Sequence, residues 1–389
     1  MLRELKNHMV RYGFVWGPEN NPYGVSGFMT YAPLGKKLKT RIETEFHNVL
    51  KREGFDEIET PVIYPEAAWK ASGHLDKFSR EMFHTQTYEQ RKLVGRTEMA
   101  TTVFPLFRSL LDFYGRMPFK VYQTGIVLPN DRQTEWQVRT RQYTGHEGYI
   151  FFEHSHDTSE KIAYMKLLAF KLMEALEIPK GKLEFREKND KERPFYAKEA
   201  YGLYAALEDG PLEVLGIQYR GSDDFQKHSK ATGKVLKFGE EYPNVIEISF
   251  SSERPFFLTM YYALESGEKP VLHLPQSIAP ISTVILPLKN TAELREWANA
   301  LQSRLRKNGI DAPVVVSGEI GKRYRKADAI GVPFAFVVDY RTLEDGSVTL
   351  RERDTAEQVR ISTENLDSTL EDAKITDTLK DLYKSGTGL

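Results

Sequence analysis

The chain has 389 residues, 54 Lys and Arg against 55 Asp and Glu, and no cysteine. A formal net charge of -1 excludes a global field that would draw it to nucleic acid or an anionic membrane, so any polyanion site must be a local patch. Without cysteine there is no disulfide, thiolate zinc site or cysteine nucleophile, and no apolar run approaches the ~20 residues of a membrane span. The charged start "MLRELKNHMVRYGF" has no signal-peptide core, so a cytoplasmic protein with no membrane partner is expected. Single cores stop growing near ~250–300 residues, which makes two domains the expectation.

In chain order, residues 33–53 carry Leu34, Leu38, Ile42, Phe46 and Leu50 at four-residue spacing among charges, which predicts an amphipathic helix closed by Gly54. "FDEIETPVI" then alternates like a half-buried strand that stops at Pro61. Helix and strand together carry more apolar surface than one exposed element should, and a homodimer through residues 33–63 is expected. Residues 97–113 read as a helix that Pro105 kinks or restarts. A hairpin follows over 121–153, with a charged middle and Pro129 at its tip; Arg139, Arg141, Tyr143 and Glu147 lie on the return strand. Residues 159–178 read as a helix, and 210–220 and 244–250 as strands.

Pro and Gly cluster at 266–280, and the pattern beyond them changes. Strand 282–288, helix 291–309, strand 312–317, a helical 321–331, strand 334–340, a turn at 343–347 and strand 348–353 predict a small α/β layer. A mostly parallel core with one edge hairpin is expected there. In the first part the strands come in runs, which favours an antiparallel sheet flanked by helices, an α+β domain. The boundary is set at 272/273, giving domains 1–272 and 273–389.

Neither GxxxxGK[ST] nor GxGxxG occurs between a strand and a helix, and no HExxH pair exists. What stands out is a set of strand-borne Glu and Arg residues: Arg96 and Glu98, Arg139, Arg141 and Glu147, Glu213 and Arg220, Glu247 and Arg254. Taken singly, each is more often a solvated strand face or a surface pair worth ~0–1 kcal/mol. Together they are costly to bury unless they face a polar ligand. In "VIEISFSSER", Glu247 and Ser249 fall on one strand face with Arg254 just past its end, a grouping that suits a ligand bearing an ammonium and a phosphate.

These segments resemble the class II aminoacyl-tRNA synthetases, and within them the glycyl enzymes. "YAPLGKKLKTRIETEFHNVLKREGFDEIETPVI" is similar to the first signature motif of that class, the homodimer interface. "WKASGHLDKF", "GRTEMATTVF", "LGIQYRGSDDFQKHSKATGK" and "VIEISFSSER" match glycyl-enzyme segments in the same order. "LPQSIAPISTVILPL", "SGEIGKRYRKADAIGVPFAFVVD" and "TLEDGSVTLRERDTAEQVRI" resemble the anticodon-binding domain.

The resemblance implies a class II synthetase-like α+β catalytic domain and a C-terminal α/β anticodon-binding-like domain. It further implies a ligase that joins glycine to tRNA with ATP and Mg2+. Glycine would be bound by Glu98, Glu147 and Ser249, with Glu213 and Arg96 beside them. Tyr143 and Arg254 would stack on adenine, Arg254 reaching the γ-phosphate, and Glu247 would help hold the metal.

The chain departs from the family pattern in the second and third motifs. Pro129 stands where an arginine clamps the α-phosphate, Asp131 where a glutamate is usual, Gln142 replaces an acidic residue and Ser251 a glycine. Arg132, Arg139 or Arg141 could take over the clamp. The patch Lys322, Arg323, Arg325 and Lys326 is expected to bind tRNA. A second expectation is a paralogue that keeps the fold without charging tRNA, either binding nucleic acid or activating an amino acid for another acceptor.

Overall fold

The computed structural model describes residues 2–153, 158–364 and 375–388. The chain divides into two compact units: residues 1–15, 31–41 and 259–389 form one, and residues 16–30 and 42–258 the other.

The second of these is built on a seven-stranded sheet. Its strands are β1 (Asp56–Glu57), β2 (Phe119–Val127), β3 (Tyr143–Phe152), β4 (Leu183–Glu187), β5 (Glu199–Ala205), β6 (Leu212–Gly221) and β7 (Asn244–Ser251), in the spatial order β1-β2-β3-β7-β6-β5-β4. Only β1 and β2 run parallel; every other pair is antiparallel, as strands in runs dictate. At one end of the sheet an aromatic core forms from Phe104, Phe107, Phe119, Tyr149, Phe151 and Phe225, with Phe104 and Phe225 rings 5.2 Å apart. Pro105 interrupts its helix as expected: Ala100–Val103 is α, Phe104–Leu106 is 3-10, and Phe107–Tyr114 resumes α.

The helix expected at 33–53 runs Pro33–Arg52, and Gly54 follows at φ +77. Its apolar stripe is used within the chain, since Leu38, Ile42, Phe46 and Leu50 are buried. The large apolar residue left exposed between 33 and 63 is Ile63 at 49%. Most of the apolar stripe from which the dimer expectation starts is thus covered within the chain, with Ile63 exposed and Leu34, Ile58 and Val62 half-buried. The strand expected from residue 55 up to Pro61 is also shorter. Its ladder to β2 extends only as far as the Ile58 N–H to the Tyr122 carbonyl, 2.9 Å, and Ile63–Pro65 belongs to a separate three-stranded sheet. Pro61 disfavours continuation, and Thr60 instead bonds Thr102 and Gln123 through its hydroxyl.

In the other unit, β8 (Thr283–Pro287), β9 (Phe334–Val338), β10 (Ser347–Glu352), β11 (Gln358–Ser362) and β12 (Thr387–Gly388) pair in sequence order. Helices Ala292–Lys307 and Ile320–Ala329 separate β8 from β9. The mostly parallel core is not found: β8 and β9 are parallel, and all later pairs are antiparallel. The stretch 312–317 makes only a parallel bridge, Val314 to Ile285, because Pro313 has no N–H to give. No helix among the described residues is long and apolar enough to cross a membrane.

Candidate active site

Period-two alternation puts Gly145 and Glu147 of β3, Glu247, Ser249 and Ser251 of β7, and Gly216 and Gln218 of β6 on one sheet face. The register sets Ser249 between Glu147 and Gly216, and Glu247 beside Gln218. Over this face lies a cavity of about 450 Å³, walled also by Glu98, Tyr143, Tyr196, Glu213 and Arg254.

Its floor is a buried ion network. Arg220, 1% exposed at the end of β6, donates from Nη1 to Glu98 at 3.0 Å and to Glu247 at 2.8 Å, and from Nε to Asp224 at 2.9 Å. The Tyr196 ring covers the guanidinium at 4.0 Å. Glu147 accepts the Met99 N–H at 3.0 Å and the Tyr149 hydroxyl. Glu98, Glu147 and Glu247 thus bring carboxylate oxygens within 4.8 Å of one another.

Burial pushes the Glu147 carboxyl well up, and the charges of Glu247 and Glu98 push the same way. Burial also raises Glu247, with Glu98 adding to the rise and Arg220 opposing it. At Glu98 burial is overridden by the Arg220 guanidinium, with help from His74 and Thr101, and the carboxyl is held at about 2. Such a pocket attracts a small cation.

Gln218 fills space that Gly216 leaves open: a Cβ on Gly216 would come 2.3 Å from the Gln218 amide nitrogen, and the Gln218 carbonyl accepts the Ser249 hydroxyl at 3.2 Å.

The opposite wall is the loop between β2 and β3. Pro129 lies not at a hairpin tip but two residues past the end of β2, bridged to Met82, with the Asn130 N–H on the Glu81 carbonyl at 2.8 Å. Of the three candidate replacement arginines, Arg139 alone lines the cavity, next to Pro129 and Asp131, and its Nε meets Asp131 at 3.0 Å. Arg141 is tied to the carbonyls of Asp131 and Ser26, 3.0 and 2.9 Å, and does not reach the cavity; neither does the exposed Arg132. Arg254 bridges the Val138 and Glu213 carbonyls at 3.1 and 2.7 Å.

Other expected site residues are placed differently. Arg96 is a buried strut, bonded to the Ile126 and Thr60 carbonyls at 2.7 and 2.9 Å. It takes space that only Gly125 leaves, since a Cβ there would stand 2.2 Å from its Nη2. Glu213 lines the cavity, but its carboxylate pairs with Lys188 at 2.6 Å rather than joining the cluster. Arg323, 5% exposed, donates to the carbonyls of Pro287, Val315 and Leu288, whereas Lys322, Arg325 and Lys326 are exposed. Arg323 is therefore withdrawn from the basic patch. Alternation in "GIQYR" puts Gly216, Gln218 and Arg220 on one face, but nothing in the pattern marks Arg220 as the centre of the network; Tyr196 sits in an irregular loop and gives no signal.

Three carboxylates supply the oxygen donors that a hard divalent cation takes. Here two of them already share a guanidinium and the third accepts two protein donors, so the set fits an ammonium better than a magnesium ion.

The architecture is similar to that of solved prolyl-tRNA synthetases. The Giardia lamblia enzyme in complex with prolyl-adenylate matches with a TM-score of 0.77 and 18% identity, over 98% of this chain and 79% of that one. The Cryptosporidium parvum enzyme matches at 0.75 and 17%, over 98% and 76%. The anticodon binding domain family matches residues 282–373. The fold is thus that of the class II aminoacyl-tRNA synthetases. In sequence the chain is similar to glycine–tRNA ligases of Borrelia garinii subsp. bavariensis (30% identity, 90% of this chain and 92% of that one), Mycoplasma pneumoniae (29%, 92% and 95%) and Methanothermobacter thermautotrophicus (27%, 92% and 96%). The chain belongs to the glycine–tRNA ligase family. The last alignment runs over 547 positions, more than this chain contains, so that relative carries interior segments absent here.

Proposed function

We propose that the protein activates glycine with ATP and passes the glycyl group to tRNA, using Arg139 in place of the arginine missing at position 129. The observation that carries this reading is the cluster Glu98, Glu147 and Glu247 around Arg220, with the Gln218 amide packed over Gly216 beside it. Glycine offers no side chain to grip, so selectivity must come from its ammonium and from walls that reject a Cβ. The three carboxylates bind the ammonium, with Ser249 at their edge.

The glycine carboxylate oxygen then attacks the α-phosphorus of ATP, and the bond to pyrophosphate breaks. In the second step a hydroxyl of the tRNA 3′-terminal ribose attacks the glycyl carbonyl, and AMP leaves. Both steps need positioning and charge stabilisation more than a protein nucleophile. Tyr143 and Arg254 hold the adenine between them, and Asp131 holds Arg139 until phosphate arrives. Magnesium, when bound with ATP, neutralises phosphate charge; the carboxylate cluster, Glu247 included, is assigned to the ammonium instead. The domain from residue 273 carries tRNA contacts through Lys322, Arg325 and Lys326. A homodimer through residues 33–63 draws little support from its apolar residues, most of which are covered within the chain.

Pro129 and Asp131 at the cavity wall also favour a second reading, a paralogue whose ATP half has decayed. ATP–pyrophosphate exchange separates the two. Glycine-dependent exchange that alanine does not support, followed by glycylation of tRNA, is the expected result. No exchange above background would overturn the ligase reading and leave the paralogue.

A further inference from the structure

Behind the amino-acid pocket lies a second layer that the assignment above leaves unused. Asp224 and His228 stand four residues apart on helix Asp223–Thr232, and His74 begins helix His74–Phe78; all three are buried. None of them lines the cavity. Asp224 Oδ2 accepts the Arg220 Nε at 2.9 Å, while its Oδ1 has no hydrogen-bond partner among the described residues. The Nε2 atoms of His74 and His228 are in the same condition. His74 also stacks on Tyr196, centroids 5.4 Å apart, and Tyr196 in turn covers Arg220. A carboxylate buried this deeply, with one oxygen unpartnered, is expensive unless its charge is used.

Arg220 shows the use. Its Nη1 donates to both Glu98 and Glu247, so the guanidinium by itself would cancel one of the two charges facing an incoming ammonium. Asp224 supplies the compensating charge from behind and fixes the guanidinium by Nε, an atom that makes no bond to the pocket carboxylates. We infer that Asp224 is a positioning residue for amino-acid binding: without touching substrate, it orients Arg220 and offsets its charge, so that Glu98 and Glu247 stay in place with their field directed into the cavity. The inference rests on the reading of that cavity as the glycine site.

Pyrophosphate exchange and calorimetric glycine titration of Asp224→Asn and Asp224→Ala test it. The asparagine keeps an acceptor for Nε and removes the charge. At saturating ATP its glycine KM should rise on the order of tenfold, the effect of one buried unit charge at several ångströms, and the calorimetric affinity should fall by the same factor. Its kcat should stay within about threefold of wild type, because the lost interaction is made equally in ground and transition states. The alanine variant should show a larger rise in KM. If Asp224 only props its helix, both variants will melt earlier while the folded fraction keeps wild-type glycine affinity, and the inference is overturned. An active wild type with unchanged KM in both variants overturns it too and leaves the glycine reading standing. A wild type that neither binds nor exchanges glycine overturns that reading, and this inference with it.

Discussion

The two halves of the cavity are constructed in opposite ways. The half proposed to take glycine is locked: Arg220 holds three carboxylates, Glu147 is held by Met99 and Tyr149, and of these carboxylates all are buried but Glu98, whose side chain is 12% exposed. The half proposed to take ATP rests on the β2–β3 loop, where Arg139 and Asp131 form a pair whose arginine side chain is 51% exposed. Removing one member of a buried pair leaves an uncompensated charge at a cost of ~3–5 kcal/mol. An exposed pair is worth ~0–1 kcal/mol. Substitutions can therefore be absorbed in the loop but not in the network. Of the positions at which the motif resemblance is imperfect, Pro129 and Asp131 line the cavity from the loop and Gln142 lies on it, whereas Ser251 is on β7.

The contrast would break most visibly at Glu98. Glu98→Ala removes an ammonium partner and also unbalances Arg220, so glycine-dependent exchange should fall by about 10³ or more, two charge-assisted interactions being lost together. A glycine KM within a few-fold of wild type would remove the pocket assignment. On the loop side, Arg139→Ala should reduce kcat of exchange by the 10²–10³ typical of one donor aimed at developing charge. Glycine affinity measured by calorimetry should not change, since Arg139 belongs to the other half. Arg132→Ala should be silent. Pro129→Arg placed in the Arg139→Ala background should recover part of the lost rate; equal rates for wild type and Arg139→Ala would exclude Arg139 as the clamp.

The same contrast decides what could be read from the amino-acid sequence. The helix Pro33–Arg52 and the long strands β2, β3, β6 and β7 follow from hydrophobic period, and Glu147, Glu247 and Ser249 share a face because period two requires it. Strands β4 and β5 escape the sequence reading, because "LEFRE" is a short edge strand of five residues and the alternation of "EAYGLYA" is broken by a register shift between Leu203 and Tyr204. Partner choice was beyond reach. Arg96, Arg220 and Arg323 look alike along the chain, yet Arg96 and Arg323 satisfy backbone carbonyls and Arg220 binds carboxylates. What separates them is which groups the fold brings within 3 Å, and no local pattern encodes that.

The locked half should also reveal itself in pH dependence. Burial, then Glu247 and Glu98, raise Glu147 well above the ordinary carboxylate range, so the empty pocket keeps a proton there as pH rises past that range. An ammonium favours the ionised form. Glycine affinity should therefore strengthen with pH up to the empty-pocket value of Glu147, by at most about tenfold per pH unit for one proton, and level off above it. Glu98, held at about 2, stays ionised throughout and adds no slope. For stability the sign is opposite. A raised folded value means folding takes up a proton, so that contribution is complete below the unfolded carboxylate value, ~4.3, and is lost as pH rises through the folded one. The rise in melting temperature caused by glycine should accordingly grow with pH while the melting temperature without glycine falls. A glycine effect independent of pH would mean that Glu147 does not exchange a proton with the ligand.

The smallest effect is expected in the anticodon-binding-like domain, where one helix contains both kinds of arginine. Arg323 is spent on the Pro287, Val315 and Leu288 carbonyls, and Arg325, two residues on, is exposed between Lys322 and Lys326. Two residues along a helix is a rotation of about 200°, so neighbours in sequence point to opposite sides. Arg325→Ala should weaken tRNA binding only a few-fold and lower the slope of log affinity against log salt by about 0.7–0.9, one phosphate contact. Arg323→Ala should instead lower the melting temperature, because it leaves buried carbonyls without a donor, and should leave the salt slope alone in the protein that remains folded. Filter binding across a salt series, run beside thermal melts of both variants, gives the comparison directly. If Arg323→Ala flattens the salt slope and Arg325→Ala does not, the exposed face of this helix is not where tRNA binds.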